Sequence, residues 1–165
     1  MKYIKRAEVA EVRDYTVESL LGVKGASTVA SLIKQAAKTK NIKVVCTGEQ
    51  GAGKTLLLKT ILNEIGYFEE SEVCDEVITA KDFEYALSDK CKYFTAGYKN
   101  ESDLISFIDA TSDRELDCII IKCAIDLNGK RYVEKVIRLR KTDKDIYTDE
   151  IVIIHKGRYK ITGDV

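Results

Sequence analysis

Apolar residues along the first third of the chain recur at helical spacing and then change period. Residues 16–21 and 27–37 each carry an apolar stripe, the second through Val29, Leu32, Ile33 and Ala36, which predicts two helices with Ser27 as the cap of the second. The stretch "IKVVC", residues 42–46, is short and mostly β-branched, the pattern of a buried strand. "LLLKTILNEI", residues 56–65, returns to helical spacing and stops at Gly66. Further on, residues 83–89 and 101–111 read as helices on either side of a short strand, residues 92–95. From Cys118 the spacing is that of strands: "CIIIKCAID" meets "KRYVEKVIRLR" through Asn128-Gly129, a strong hairpin signal, and a second hairpin joins "EIVIIH" to "RYKIT" at Lys156-Gly157. Helices, then a strand-loop-helix unit with α/β alternation, then antiparallel hairpins imply an α/β fold with a mixed sheet.

Composition narrows the class without naming a function. A chain of 165 residues, 45% hydrophobic and 33% charged, fits one domain, 1–165: a helical lead-in (1–40), a core (41–115) and a β-hairpin region (116–165). The longest apolar runs are only a few residues, so neither a transmembrane segment nor a signal peptide is expected and the location reads as cytoplasmic. The 27 basic residues balance 27 acidic ones, and no global field draws the chain to nucleic acid. The basic run "KRYVEKVIRLRKTDK" alternates along a strand and is broken by Glu134, which suggests a solvated hairpin face; no direct nucleic-acid contact is expected. Five cysteines (46, 74, 91, 118 and 123) form no C-x-x-C pair, the pattern of reduced, buried thiols. Cys118 and Cys123 should point to opposite faces of one strand. His155, the only histidine, ends an apolar strand and is assigned no role.

The chemistry concentrates between the first strand and its helix. Gly48, Glu49, Gln50, Gly51, Ala52, Gly53, Lys54 and Thr55 match G-x-x-x-x-G-K-[ST] at every fixed position, with a strand before and a helix after. In that context the glycines allow backbone N–H groups to turn inward around an anion, and the helix N-terminus adds its dipole. Lys54 is the candidate for the β and γ phosphates, and Thr55 the candidate magnesium ligand. Nucleotide, ATP or ADP, and Mg²⁺ are the implied ligands. Hydrolysis also needs an acidic strand end. Asp75-Glu76 has the right residue types but only Val73 and Cys74 as an apolar lead-in, the pattern of a solvated acidic turn. Either would serve if the segment after Tyr67 formed a strand ending beside Lys54, and Glu76 is retained as a catalytic candidate. Asp126 follows a better strand, but the turn two residues later marks it as a hairpin end.

At these residues the chain resembles the secretion and pilus traffic ATPases of type II and type IV systems, in their tight-adherence and conjugation form. "YTVESLLG" and "STVASLIKQAAKTKNIKVVCTGEQGAGKTLLLKTILNEI" are similar to that family's two helices, Asn-Ile strand (Asn41-Ile42), phosphate loop and following helix. "LDCIIIKCAIDLNGKRYVEKVIRL" resembles its C-terminal hairpin, with Asp117, Gly129, Arg131 and Val133 at the matching positions. The resemblance implies a P-loop NTPase core of RecA-like type. It also implies ATP, and assembly into a hexamer-like ring or with a full-length traffic ATPase and membrane secretion components at the inner face of the membrane. The chain departs from the family where catalysis would lie. Thr79 falls near the catalytic Glu, Gly97 takes the histidine position of the box that Thr95 matches, and the N-terminal domain is missing. A shortened, degenerate member is therefore implied, with nucleotide binding and weak or absent hydrolysis. The alternative is a small P-loop phosphotransferase acting on a nucleoside or metabolite, although no arginine-rich lid is present and Arg138 and Arg140 lie in the hairpin. A third possibility is a domain that has kept the loop and lost its ligand.

Overall fold

The structure, a computed structural model, describes residues 2–165; the first residue of the expected domain lies outside the described residues. In chain order, β1 (Lys2–Tyr3), α1 (Arg6–Ala10), α2 (Val17–Leu21) and α3 (Ala26–Lys38) precede β2 (Lys43–Thr47) and α4 (Lys54–Ile65). A 3₁₀ turn, Glu70–Glu72, leads into β3 (Val73–Val77), α5 (Ala80–Ala86), β4 (Tyr93–Ala96) and α6 (Glu101–Thr111). The chain closes with β5 (Leu116–Ile125), β6 (Arg131–Lys141), β7 (Ile146–His155) and β8 (Arg158–Ile161).

All eight strands form one sheet in the order β1-β3-β4-β2-β5-β6-β7-β8. The middle is parallel, β3, β4, β2 and β5 running the same way, and the flanks are antiparallel. The α/β class and the mixed sheet thus agree with the pattern. Both faces of the parallel part are covered, which is why β2 and most of β5 read as continuous apolar runs. Val44, Cys46, Ile119 and Ile121 face a core shared with α3 and α4, while Val45, Cys118 and Ile120 face a second core shared with Phe83 of α5 and Leu104 and Ile108 of α6. Cys118 and Cys123 do fall on opposite faces.

Several local expectations change. Ser27 is not a cap: α3 starts at Ala26 after Gly25 in the left-handed region, so Ser27 lies inside the first turn. The β5–β6 connection is a five-residue loop, 126–130, in which Gly129 alone takes positive φ (79°), and the Asp126 carboxylate accepts the amides of Asn128 and Lys130. Asp126 is therefore a turn-forming hairpin end. At the β7–β8 turn both Lys156 (φ 53°) and Gly157 (φ 72°) are left-handed, as a two-residue hairpin loop requires. β7 starts four residues earlier than the apolar pattern suggests and adds a third hairpin, β6–β7. β1, α1 and β3 were not foreseen.

The connections place the site. From β2 the chain passes through α4 over one face to β3, returns through α5 to β4, then crosses β2 through α6 on the other face to β5. The chain thus leaves β2 and β4 toward opposite faces, opening a crevice outside their C-terminal ends, the usual ligand position in open α/β sheets. The glycine-rich residues 48–53, the expected phosphate loop, begin at that end of β2.

The second core is sensitive to its aromatic centre. Phe94 is fully buried on β4, edge-on to Phe83 at 6.3 Å between ring centroids. Phe94→Ala should lower the unfolding free energy by about 3–5 kcal/mol, whereas His155→Ala, at an exposed strand end, should change it by less than about 0.5 kcal/mol. Urea unfolding of the two variants checks both.

Candidate functional site

Residues 48–53 turn from the end of β2 into α4, and two of their glycines are required by close approach or backbone angle. A Cβ at Gly48 would collide with the carbonyl oxygen of Cys123 on neighbouring β5. Gly53, the residue before α4, has φ 87°, a conformation that costs an L side chain roughly 1–2 kcal/mol. The first helical hydrogen bond runs from the Leu57 amide to the Gly53 carbonyl (3.0 Å), which leaves the amides of Gly53, Lys54, Thr55 and Leu56 without intrahelical acceptors. These N–H groups and the positive end of a 12-residue helix converge on the crevice. Lys54 folds back over the loop, its Nζ donating to the Gly48 and Glu49 carbonyls at 3.0 Å each. Gln50 and Gly51 are exposed, and Ala52 is buried beneath them.

Asp75 is the residue whose place the sequence pattern misjudged. It is not in a solvated turn: it lies on β3, is 3% exposed, and stands two strands away from β2. The Thr55 hydroxyl donates to its Oδ1 at 2.8 Å, and the Thr95 hydroxyl of intervening β4 donates to the same oxygen at 2.6 Å. Three elements are thus joined at one carboxyl group: α4 through Thr55, β3 through Asp75 and β4 through Thr95. The pair of a hydroxyl and a carboxyl beside amides without intrahelical acceptors fits magnesium, which takes one or two protein oxygens and leaves its other positions to phosphates and water. No cluster of three or more His, Cys, Asp or Glu capable of holding a metal exists among the described residues, and a nucleotide-borne ion needs none.

Glu76, the catalytic candidate, is turned elsewhere. It sits at a bulge between β3 and β4, where the pairing shifts between Cys74 and Val77, and has φ 55°. Its amide donates to Thr95 Oγ1 (2.8 Å), and its exposed carboxylate pairs with Lys2 at 3.4 Å. Thr79 caps α5 by accepting the Asp82 amide (3.1 Å) and takes no part in the site. A Cβ at Gly97 would meet nothing within 4 Å. Around the loop, Cys46 and Cys123 are buried, and burial pushes the Cys123 thiol up to about 12, which keeps it protonated and unreactive at neutral pH.

Next to the crevice, α6 is tied down by charge. Glu101, in its first turn, accepts Lys122 of β5 and Lys135 of β6 at 2.7 Å each. Arg138 of β6 makes a two-pronged pair with Asp117 of β5, both contacts 2.7 Å. The basic run therefore is not simply a solvated face, since α6 and β5 supply acidic partners that bury part of it. At the opposite end of the strands lies a wide cleft of about 850 Å³. Its buried cation, Lys43, is occupied by the Ser88 and Cys91 carbonyls. Neither a scan against models of protein families nor a search among curated proteins finds a match to this chain.

Burial on its own would raise the Glu101 carboxyl, but hydrogen bonds from Lys122 and Lys135 outweigh it and hold the group at about 2, against 4.5 for a free glutamate. A depressed carboxyl stabilises the fold above its unfolded value, and that contribution is lost as pH falls from 4.5 toward 2. Glu101→Gln should be less stable than wild type at pH 7 by up to about 3 kcal/mol. The gap should close across the acid range; a gap that stays constant down to pH 2, followed by denaturant unfolding, would refute the assignment.

Proposed function

We propose that the chain binds a nucleoside di- or triphosphate with magnesium at residues 48–55. The observation that carries this is the Thr55–Asp75 contact: a phosphate-loop hydroxyl meets a buried carboxyl group from another strand, beside the unpaired amides of a helix N-terminus. The amides of residues 53–56 would wrap the phosphates. Lys54 would leave the Gly48 and Glu49 carbonyls for the β and γ oxygens, exchanging neutral acceptors for charged ones. Thr55 would hold magnesium directly, with Asp75 orienting the hydroxyl or the metal's water shell. Magnesium supplies neutralisation of charge on the bound phosphates. Adenine as the base, and assembly with itself or with a full-length traffic ATPase at the cytoplasmic face of a secretion, pilus or conjugation machine, rest on the resemblance of the loop, the helices and the hairpin to that family.

Turnover is a separate matter. A base must be held next to the water that attacks the γ-phosphate, and the carboxylate that follows Asp75 faces Lys2. Binding without efficient hydrolysis is the activity that this arrangement supports, which makes the nucleotide a switch or a structural ligand.

Calorimetry should find ATP and ADP binding by the wild type and a loss of at least about tenfold in Lys54→Ala, which removes the one side-chain cation within the loop. Thr55→Ala and Asp75→Asn should lose the magnesium-dependent part of the affinity and keep most of the remainder. Equal affinity in wild type and Lys54→Ala would refute the site.

Phosphate release by the purified wild type should fall well below the ~10 s⁻¹ typical of enzymes, and Glu76→Gln should leave it unchanged. A fast rate abolished by Glu76→Gln would restore an ordinary ATPase, and release that depends on an added nucleoside or metabolite acceptor would favour the phosphotransferase.

A further inference from the structure

We propose that Arg131 is a second side-chain cation of this site, binding the phosphate at the nucleoside end of the chain; the inference rests on the nucleotide-binding reading above. The β5–β6 hairpin runs alongside the loop. Gly48 abuts the Cys123 carbonyl, Gly51 faces Ile125, and a Cβ on Gly53 would stand 3.2 Å from Arg131 Cδ and 3.9 Å from its Nε. The arginine stem therefore lies against Gly53, the residue before α4 and the first of those whose amides have no intrahelical acceptor. Its backbone is held from two sides: Arg131 pairs with Ile125 across the hairpin, and Gly22, at the end of α2, packs against its carbonyl.

Its side chain is exposed, and no hydrogen bond or ion pair engages it among the described residues. Three other cations of the same strand differ, while Arg140, also exposed, lies at the far end of β6 opposite Asp117 and away from the loop. Lys135 pairs with Glu101, Arg138 with Asp117 and Lys141 with Asp109. Of the two β6 cations without an ion pair among the described residues, Arg131 is the one at the loop.

Position decides which end of the ligand it meets. Thr55 and Asp75 mark the metal-bearing β/γ end and lie toward β4 and β3, whereas β5 and β6 lie on the other side of β2. Arg131 thus flanks the end of the phosphate chain away from the metal, where the α-phosphate joins the nucleoside. A planar guanidinium can grip such a phosphate with two parallel N–H bonds, which an ammonium cannot.

The test is calorimetry on the full chain with ADP and with ATP, in magnesium, at low and high salt. Arg131→Gln should weaken both nucleotides by the same factor, about tenfold, and the loss should shrink at high salt, as a phosphate contact requires. Arg131→Lys should recover part of it. Arg114→Gln removes an equal charge at the other end of β5, where Arg114 pairs with Asp89, and should change nothing. Wild-type binding with undiminished affinity in Arg131→Gln, or a loss confined to ATP, would overturn the role of Arg131 and leave the nucleotide site standing. A wild type that binds neither nucleotide would overturn both. Should Arg131→Gln melt early, Arg131→Lys decides: an affinity equal to wild type at both salt concentrations overturns the bidentate grip.

Discussion

A parallel sheet covered on both faces leaves its polar chemistry only at the strand ends, and this constraint organises the molecule. β2 is buried from Lys43 to Thr47, so any ligand must meet it where it stops. The connections leave β2 and β4 toward opposite faces, which fixes the crevice at their C-terminal ends. At the other ends two lysines bond to backbone: Lys43 donates to the Ser88 and Cys91 carbonyls, and Lys92 to those of Thr39 (2.7 Å) and Ile42 (2.6 Å). One end of the sheet thus uses two lysines on its own backbone, while the other presents amides without intrahelical acceptors.

Asp75 is the exception that this constraint makes informative. A carboxyl group buried inside a sheet is costly unless hydrogen-bonded, and the partners of Asp75 come from α4 and β4. Because Thr95 both donates to Asp75 and accepts the Glu76 amide, it also holds the bulge in which Glu76 takes a left-handed conformation. The same hydroxyl that satisfies Asp75 therefore helps to turn the next side chain out of the crevice. The buried Asp75 carboxyl and the outward turn of Glu76 share one local cause.

What could be read in the sequence follows from the range of each signal. The loop, β2, α4 and the Gly129 turn are set by residues adjacent in the chain, and their glycines announce them. β3 was hidden because its apolar run is only Val73, Cys74 and Val77, interrupted by the buried Asp75 and the bulged Glu76; as a strand it is completed by partners far away in the chain, Lys2–Tyr3 on one edge and β4 on the other. Asp75 could have been found by asking which carboxylate pairs with Thr55, a question that spacing does not answer. The hairpin cations were misjudged for a related reason. Lys135 and Arg138 look solvent-facing along β6, and only the packing of α6 brings Glu101 to Lys135, while Asp117 reaches Arg138 across the diagonal of β5.

The hairpin region is more than an appendage to the half that carries residues 48–55. Cys123 borders Gly48 so closely that a Cβ would not fit, and Tyr159 of β8 donates to the Leu21 carbonyl of α2 and the Val133 carbonyl of β6, both at 2.7 Å. The backbone that flanks the phosphate loop is thereby linked through β6 to β8 and back to the lead-in helices. A shift of the hairpin would move Cys123 and Arg131 relative to Gly48 and Gly53, so the geometry of the loop depends on residues contributed by both ends of the chain. Under the proposed reading, in which nucleotide is bound without efficient turnover, that linkage is a route by which occupancy of the loop would be felt at the outer strands, β7 and β8, without any need for hydrolysis.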